Sequence, residues 1–179
     1  MAVSAEGKFK YPTGRAGAEA LGYDDKLLQN SRDELLESFC GVGNPFSAGA
    51  IKPGDRVLDI GNGAGFDLLV ASGLVGEKGK VCGIDLTEDM VARARKNVAL
   101  AGVTNIEIHH VEGEEIPYKD QTFDVVISNG VINLSPGKES LFSEILRVLK
   151  PGGRLQFADI ILKKELPDSL ANSPDAWSQ

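Results

Sequence analysis

The stretch DRVLDIGNGAG, residues 55–65, decides the fold that the sequence predicts. Residues 55–60 are a short apolar run with β-branched side chains, which predicts a buried strand. The glycines that follow allow a sharp turn and let a ligand approach the main chain closely. A strand that ends in such a turn predicts an α/β fold with a ligand at the carboxyl end of the strand.

From Asp55 onward the chain repeats this alternation of strand and helix. Further strands are predicted over residues 80–85, 105–110, 122–128 and 154–162. Helices are predicted over residues 64–74, 87–100 and 138–149. The repetition predicts a doubly wound α/β fold, a mostly parallel sheet with helices on both faces. Ligands of such sheets bind beyond the carboxyl ends of the strands.

The segment before Asp55 differs in kind from this repetition. Residues 25–39 predict one amphipathic helix, and glycine-rich patches flank it at 13–22 and 41–49. We expect this segment to cover the ligand crevice. The predicted division is an N-terminal helical cap (1–54), an α/β ligand-binding domain (55–162) and a C-terminal tail (163–179).

Composition limits the classes of partner. The 179 residues suit one domain, and 26 acidic against 19 basic residues give a net charge of −7. This balance offers no basic footprint for nucleic acid or anionic lipid and favours a small-molecule substrate. No apolar run approaches the ~18 residues that a membrane span needs. The sequence gives no indication of an oligomeric state.

The few cysteines and histidines indicate the cellular compartment and bear on metal binding. Cys40 and Cys82 are too few for a disulfide scaffold, which predicts a reducing, cytoplasmic location. His109 and His110 are adjacent in a predicted strand and so face opposite sides. No metal site is therefore expected.

The glycine turn does not have the spacing of a nicotinamide site. Its pattern is G-x-G-x-G, and Phe66 stands where a dinucleotide fingerprint needs its third glycine. No Gly-Lys-Ser/Thr follows, so a P-loop is also absent from the turn.

Polar residues follow three further predicted strands. Asp85 ends the second strand, where a carboxylate can accept both hydroxyls of a ribose, and Leu86 can touch a flat base. Glu112 and Gly113 follow the third strand, where an acid can accept from an exocyclic amine. Glu114 and Glu115 are close enough in sequence to take that role instead. Asn129 ends the fourth strand.

Five motifs in order resemble the class I S-adenosylmethionine-dependent methyltransferases. They are VLDIGNGAG (57–65), GID (83–85), VEGEEIPY (111–118), FDVVISN (123–129) and LKPGGRL (149–155). The resemblance covers residues 55–162 and implies a Rossmann-like fold with S-adenosylmethionine as cofactor. The cofactor-binding residues are then Asp59, Gly61, Asn62, Gly63, Asp67, Asp85, Leu86, Glu112, Gly113 and Asn129.

The same resemblance implies a role for each part of this set. Asp59 and the first two turn glycines surround the methionine part. Asp67 faces either the amino acid end of the cofactor or solvent. Asp85 binds the ribose, and Glu112 with Gly113 binds the adenine. Asn129 flanks the methyl-donor end.

A narrower likeness is to the arsenite methyltransferases. It rests on residues 43–45, 65–67 and 127–136. Those enzymes carry a cysteine where this chain has Gly130 and another where it has Val42, with Cys40 two residues earlier. Because trivalent arsenic is held by convergent soft thiolates, these departures argue against arsenic as the acceptor.

The predicted function is therefore methyl transfer from S-adenosylmethionine to a small-molecule acceptor. No general base is evident, and a soft or already ionised nucleophile would need none. Few residues follow Leu162, so the sheet is expected to lack the C-terminal hairpin strands of the family and the chain to be truncated. Two alternatives stay open: a cofactor-binding module without turnover, and a nicotinamide-dependent oxidoreductase.

Overall fold

Five parallel strands form the centre of the computed structural model, which describes residues 11–161. The strands are β1 (Arg56–Ile60), β2 (Lys80–Asp85), β3 (Ile106–His110), β4 (Phe123–Asn129) and β5 (Leu149–Ala158). The α-helices are α1 (Gly14–Ala20), α2 (Asp25–Asn30), α3 (Asp33–Glu37), α4 (Phe66–Val75), α5 (Glu88–Ala101) and α6 (Lys138–Val148). Short 3-10 helices cover Pro45–Ala48 and Ile132–Leu134.

The strand order creates a crevice at the middle of the sheet. The order is β3-β2-β1-β4-β5, and every neighbouring pair is parallel. The chain winds outward from β1 in one direction and then returns to β4 on its other side. The loops after β1 and β4 therefore diverge and leave a crevice at the carboxyl ends of these strands. The predicted doubly wound α/β fold is confirmed.

Helices cover both faces of this sheet. One core cluster joins the sheet to α4 and α5, and a second joins the other face to α6. A third cluster joins the N-terminal helices to α4, with Tyr23, Leu36 and Phe39 packed against Phe66 and Val70. No helix within residues 11–161 has the length and apolarity of a membrane-spanning segment.

The single helix predicted over residues 25–39 is wrong, because the chain forms α2 and α3 instead. Ser31 and Arg32 adopt extended backbone between them, with ψ of 142° and 143°. The Ser31 hydroxyl donates to the Leu27 carbonyl at 2.8 Å. The Ser31 amide donates to the Leu28 carbonyl at 3.3 Å, and the extended backbone after it ends the helix. The preceding glycine-rich patch also holds a helix, α1.

The starts of α4 and β5 differ from their predicted positions. Helix α4 begins at Phe66, because Gly65 adopts φ of 92° and cannot be part of a right-handed helix. Strand β5 begins at Leu149, and its pairing with β4 shifts between Phe123 and Val125. The Pro-Gly-Gly segment 151–153 forms this irregularity on an edge strand, where a missing N–H is tolerated.

The predicted tail lies outside the described residues, as do residues 1–10 of the predicted cap and Leu162, the predicted end of the last strand.

Candidate functional site

A cavity of about 250 Å³ lies at the carboxyl ends of β1, β2 and β3. Its walls come from the ends of these strands and from the loops after β3 and β4. Four predicted site residues line it: Gly61, Asp85, Leu86 and Gly113. Most of its other lining residues are apolar, which suits a flat organic ligand.

The glycine turn bends at three residues in the left-handed region. Gly61, Gly63 and Gly65 have φ of 73°, 50° and 92°. A Cβ on Gly61 would stand 2.4 Å from Val131 Cγ2, so a side chain there would collide with the crevice wall. The Gly61 amide donates to the Ile84 carbonyl at 2.8 Å, which fixes the turn against β2.

Asp85 joins the end of β2 to this turn. Its Oδ2 accepts from the Gly63 amide at 2.8 Å, and its Oδ1 accepts from the Thr87 amide at 2.9 Å. A carboxylate offers about four acceptor positions, so two remain for a ligand with paired hydroxyls. Leu86 beside it is 60% exposed and presents an apolar surface at the cavity.

Asp59 and Asn62 each have a buried side-chain oxygen without a hydrogen-bond partner among the described residues. Asp59 is 2% exposed, and its Oδ2 has no hydrogen-bond partner among the described residues. Asn62 Oδ1 is likewise buried without a partner there. Burial first, and then the charges of Asp67 and Asp85, raise the pKa of the Asp59 carboxyl. A buried carboxylate of this kind is costly unless a cation or a donor reaches it.

Asp67 and Asn129, predicted from separate motifs, meet in a hydrogen-bonded cluster with Tyr23. The Tyr23 hydroxyl donates to Asp67 Oδ1 at 2.7 Å, and Asn129 Nδ2 donates to Asp67 Oδ2 at 3.1 Å. Burial raises the pKa of Asp67 to about 6, and these two hydrogen bonds oppose the rise. Asn129 Oδ1 accepts from the amides of Val42 and Gly43 at 2.8 and 3.1 Å.

Tyr23 is a site residue that the sequence analysis missed. It follows a glycine outside any periodic pattern, so nothing local distinguishes it from a surface tyrosine. The available signal was weak: a buried tyrosine hydroxyl usually has a hydrogen-bond partner, but the partner was not predictable.

Glu112 is exposed and does not line the cavity, whereas Glu114 does. Glu114 Oε1 accepts from the Ser135 hydroxyl at 2.9 Å and from the Gly137 amide at 3.2 Å. The Ser135 hydrogen bond is the main cause of a lowered pKa at Glu114. Glu114 thus connects the loop after β3 to the loop after β4. A contact between Glu112 and an exocyclic amine stays a prediction.

No pair of thiols faces the crevice. Cys40 is exposed in the loop after α3, and Cys82 is buried in β2. A Cβ on Gly130 would stand 3.2 Å from Val42 Cγ1, so the two positions of the expected cysteines are close together but carry no sulfur. Within residues 11–161 no group of three or more His, Cys, Asp or Glu could hold a metal ion.

Comparison with known proteins finds similarity to methyltransferases. The sequence profile of a family described as methyltransferase domain matches residues 51–179. An arsenite methyltransferase of Halobacterium salinarum is 40% identical over 164 residues, which are 92% of this chain and 42% of that protein. A demethylmenaquinone methyltransferase of Bacillus mycoides is 38% identical over 106 residues, 59% of this chain and 44% of that protein.

A solved structure agrees with these relatives. The crystal structure of an arsenic(III) S-adenosylmethionine methyltransferase from Chlamydomonas reinhardtii superposes with a TM-score of 0.75 at 38% identity. The likeness covers 92% of this chain and 55% of that one. The chain spans less than half the length of the curated relatives that it matches.

Proposed function

The chain belongs to the S-adenosylmethionine-dependent methyltransferases, and from this premise we propose that it transfers the methyl group of that cofactor to a small-molecule acceptor. One observation carries the proposal. The glycine turn after β1 and the acid that ends β2 meet at the crevice, where the Gly63 amide donates to Asp85 Oδ2 at 2.8 Å. A backbone cradle and a carboxylate with free acceptor positions then stand side by side.

The charge of the crevice supports this cofactor. Asp59, Asp67 and Asp85 are all less than 10% exposed, at 2%, 8% and 8%. No ion pair that residues 11–161 form with one another includes any of the three. S-adenosylmethionine has both an ammonium and a sulfonium group. A ligand with these cations gives the buried, unpartnered Asp59 Oδ2 the compensation that the described residues do not.

Each end of the crevice has a proposed task. Asp85 accepts the ribose hydroxyls, Leu86 and Gly113 contact the adenine, and Gly61 lets the ligand approach the main chain. Asp59, with Asn62 and Asp67, faces the methionine end of the ligand. These roles extend the resemblance to positions whose burial and exposure suit them.

When bound, S-adenosylmethionine supplies a methyl group that is already electrophilic. The chain therefore has to bind, orient and exclude water rather than activate the donor. Alignment of this kind lowers a barrier by roughly 7–11 kcal/mol without any acid or base. Because no general base is evident, we propose an acceptor whose reacting atom is nucleophilic without one.

The proposed acceptor is a small organic molecule and not arsenite. Arsenite appears in the name of the Halobacterium relative, and a quinone precursor in that of the Bacillus relative. Val42 and Gly130 meet where the resemblance predicts two thiols, and Cys82 is buried. Cys40 is the exposed thiol of residues 11–161, so these residues do not supply the convergent set that trivalent arsenic prefers. We also propose a cytoplasmic location, from the cysteine usage of the chain.

The test is formation of S-adenosylhomocysteine from S-adenosylmethionine with a panel of acceptors. The panel contains arsenite with glutathione, hydroquinones, small thiols and a no-acceptor control. We expect turnover with an organic acceptor and none above control with arsenite. Cofactor binding without turnover on any acceptor would instead favour a cofactor-binding module, and turnover with arsenite would refute the proposed acceptor class.

A further inference from the structure

The side chain of Asn129 bonds the N-terminal segment to the end of β4. Asn129, at the end of β4, holds the cap loop, which we define as residues 41–43. Its Oδ1 accepts from the Val42 and Gly43 amides, and its Nδ2 donates to the Gly43 carbonyl at 2.9 Å. The side chain thus pairs with the main chain of the loop as a neighbouring strand would. All the polar atoms of this amide are used within the chain, so Asn129 is poorly suited to bind a substrate directly.

A second contact fixes the same corner from the side of the cap. Asn129 Nδ2 also approaches the Tyr23 hydroxyl at 3.2 Å, and that hydroxyl donates to Asp67 at 2.7 Å. The Tyr23 ring packs edge-to-face on Phe39 and Phe66, with centroids 5.4 and 5.2 Å apart. The cap, the start of α4 and the end of β4 therefore meet at three side chains.

We propose that Tyr23, Asp67 and Asn129 are positioning residues that hold the cap loop against the donor end of the crevice. We call this arrangement the seated state, and it is more populated when the crevice holds a cation. The identity of that cation rests on the proposed function. The inference adds a role for the cap loop and for Tyr23 to that function.

The charge dependence follows from what the seated cap buries. Seating encloses Asp67 beside Asp59, and no cation of the described residues pairs with either. The other titratable groups that face Asp67 are the Tyr23 hydroxyl and the Cys40 thiol, both of which are neutral. Enclosing uncompensated carboxylates is unfavourable, so a cation in the crevice or protonation of Asp67 favours the seated cap.

This arrangement distinguishes the methyl donor from its product. In methyl transfer the methyl carbon forms a bond to the acceptor, and the electron pair of the broken bond stays on sulfur. The sulfonium becomes a neutral thioether, and the crevice loses one positive charge. The seated state is therefore more populated with S-adenosylmethionine bound than with S-adenosylhomocysteine bound.

The sign of the pH dependence is fixed by linkage. Burial raises the pKa of Asp67 from 3.8 to about 6 in the seated state. Between pH 3.8 and about pH 6, Asp67 is protonated in the seated state but ionised when it is exposed. Seating is therefore favoured at pH 5 and weakened as the pH rises through about 6. The linked change in the seating equilibrium between pH 7.5 and pH 5 is about tenfold.

The experiment is hydrogen–deuterium exchange of the whole chain, read at the amides of Val42 and Gly43 and corrected for intrinsic exchange. Wild type is compared with Tyr23→Phe, Asp67→Asn and Asn129→Ala. Tyr118→Phe is the matched control, because Tyr118 is a half-buried tyrosine in the core cluster on the opposite face of the sheet. Each protein is measured at pH 5 and pH 7.5, and at pH 7.5 with saturating S-adenosylmethionine or S-adenosylhomocysteine.

We expect loop protection in wild type to be about tenfold higher at pH 5 than at pH 7.5. Asp67→Asn should remove this difference, and Asn129→Ala should remove protection at both pH values. Tyr23→Phe should lower protection at pH 7.5 by about tenfold, whereas Tyr118→Phe should match wild type. In wild type, S-adenosylmethionine should protect the loop more than S-adenosylhomocysteine does.

Two results would overturn the inference. One is a Tyr23→Phe chain with wild-type protection of the loop at both pH values. The other is wild-type protection that is independent of pH and equal with the two ligands. Failure of both ligands to bind would contradict the proposed function instead, and the pH and variant comparisons would still decide the positioning roles.

Discussion

At the scale of single residues, the crevice limits side-chain size most strictly at Gly61. Its φ of 73° disfavours any other residue, and a Cβ would stand 2.4 Å from Val131 Cγ2. Gly61→Ala should therefore weaken binding of S-adenosylhomocysteine by at least about tenfold and destabilise the chain by about 1–2 kcal/mol. Calorimetric titration and denaturant unfolding measure the two effects.

Gly73→Ala is the matched control for this substitution. Gly73 is exposed in α4, and a Cβ there meets no atom within 4 Å. Because alanine favours a helix interior, the variant should gain about 0.5–1 kcal/mol of stability and bind as wild type does. Wild-type affinity in Gly61→Ala would contradict a cradle formed by this turn.

The buried carboxylates make binding of a cation depend on pH. The pKa of Asp67 is about 6, and that of Asp59 is also raised by burial. A bound cation favours the ionised forms, so their pKa values are lower in the complex than in the free chain. Affinity for S-adenosylmethionine should be full well above pH 6 and fall as the pH drops through about 6, by up to about tenfold per pH unit for one proton.

Calorimetry at pH 5, 6 and 7.5 measures this dependence. S-adenosylhomocysteine, which lacks the sulfonium, is the matched ligand and should lose less affinity on acidification. Equal affinities for S-adenosylmethionine at all three pH values would show that no carboxylate senses the ligand.

At the scale of elements, Arg147 and Glu144 of α6 bond to the segment before β4, where Glu144 accepts from the Ile116 amide at 2.9 Å. Arg147 donates to the carbonyls of Tyr118 and Ile116 at 2.8 and 2.9 Å, and to Asp120 at 2.9 Å. Hydrogen bonds from a charged donor contribute more than neutral ones, and their loss leaves carbonyls without a donor. Arg147→Met should lower the free energy of unfolding by about 2 kcal/mol.

Lys96→Met serves as the matched control, since Lys96 is exposed on α5 and should change stability by less than about 0.5 kcal/mol. Urea unfolding compares the two variants. Because Arg147 lies away from the crevice, affinity for S-adenosylhomocysteine should stay near that of wild type. Equal stability of the two variants would exclude a stabilising role for Arg147.

The elements also show which parts of the fold sequence patterns encode. All five strands were predictable in order, because β-branched and apolar residues recur between turn residues, although β5 begins five residues before its predicted start. The break between α2 and α3 was not, since apolar residues at helical spacing continue across it. The break consists of extended backbone at Ser31 and Arg32, which periodicity cannot reveal.

At the scale of the whole molecule, α4 packs against both the N-terminal helices and the sheet. Phe66 and Val70 belong to the cluster formed by the N-terminal helices, while Leu68 and Ala71 of the same helix belong to the cluster on the sheet. Helix α4 is therefore buried on two sides. The glycine turn therefore leads directly into a helix that packs against both layers.

The candidate site was predictable only where its residues follow strands. Gly61 and Asp85 are placed by the ends of β1 and β2, so a motif locates them. The contact between Asn129 and Tyr23 joins residues 106 positions apart and leaves no local trace. Among the closely spaced acids after β3, the sequence favoured Glu112, but the loop turns Glu114 to the cavity. The orientation of that loop depends on Ser135, which is distant in sequence.

The most direct measurement of the proposed cofactor site is a calorimetric titration of three chains with S-adenosylhomocysteine at pH 7.5. The chains are wild type, Asp85→Ala and Asp89→Ala, in which Asp89 is an exposed acid in the first turn of α5. Wild type and Asp89→Ala should bind one equivalent with similar affinity. Asp85→Ala should lose at least about a hundredfold, because two charge-assisted hydrogen bonds are removed. Equal affinity in all three chains would contradict a crevice in which Asp85 and the glycine turn bind one adenosyl group.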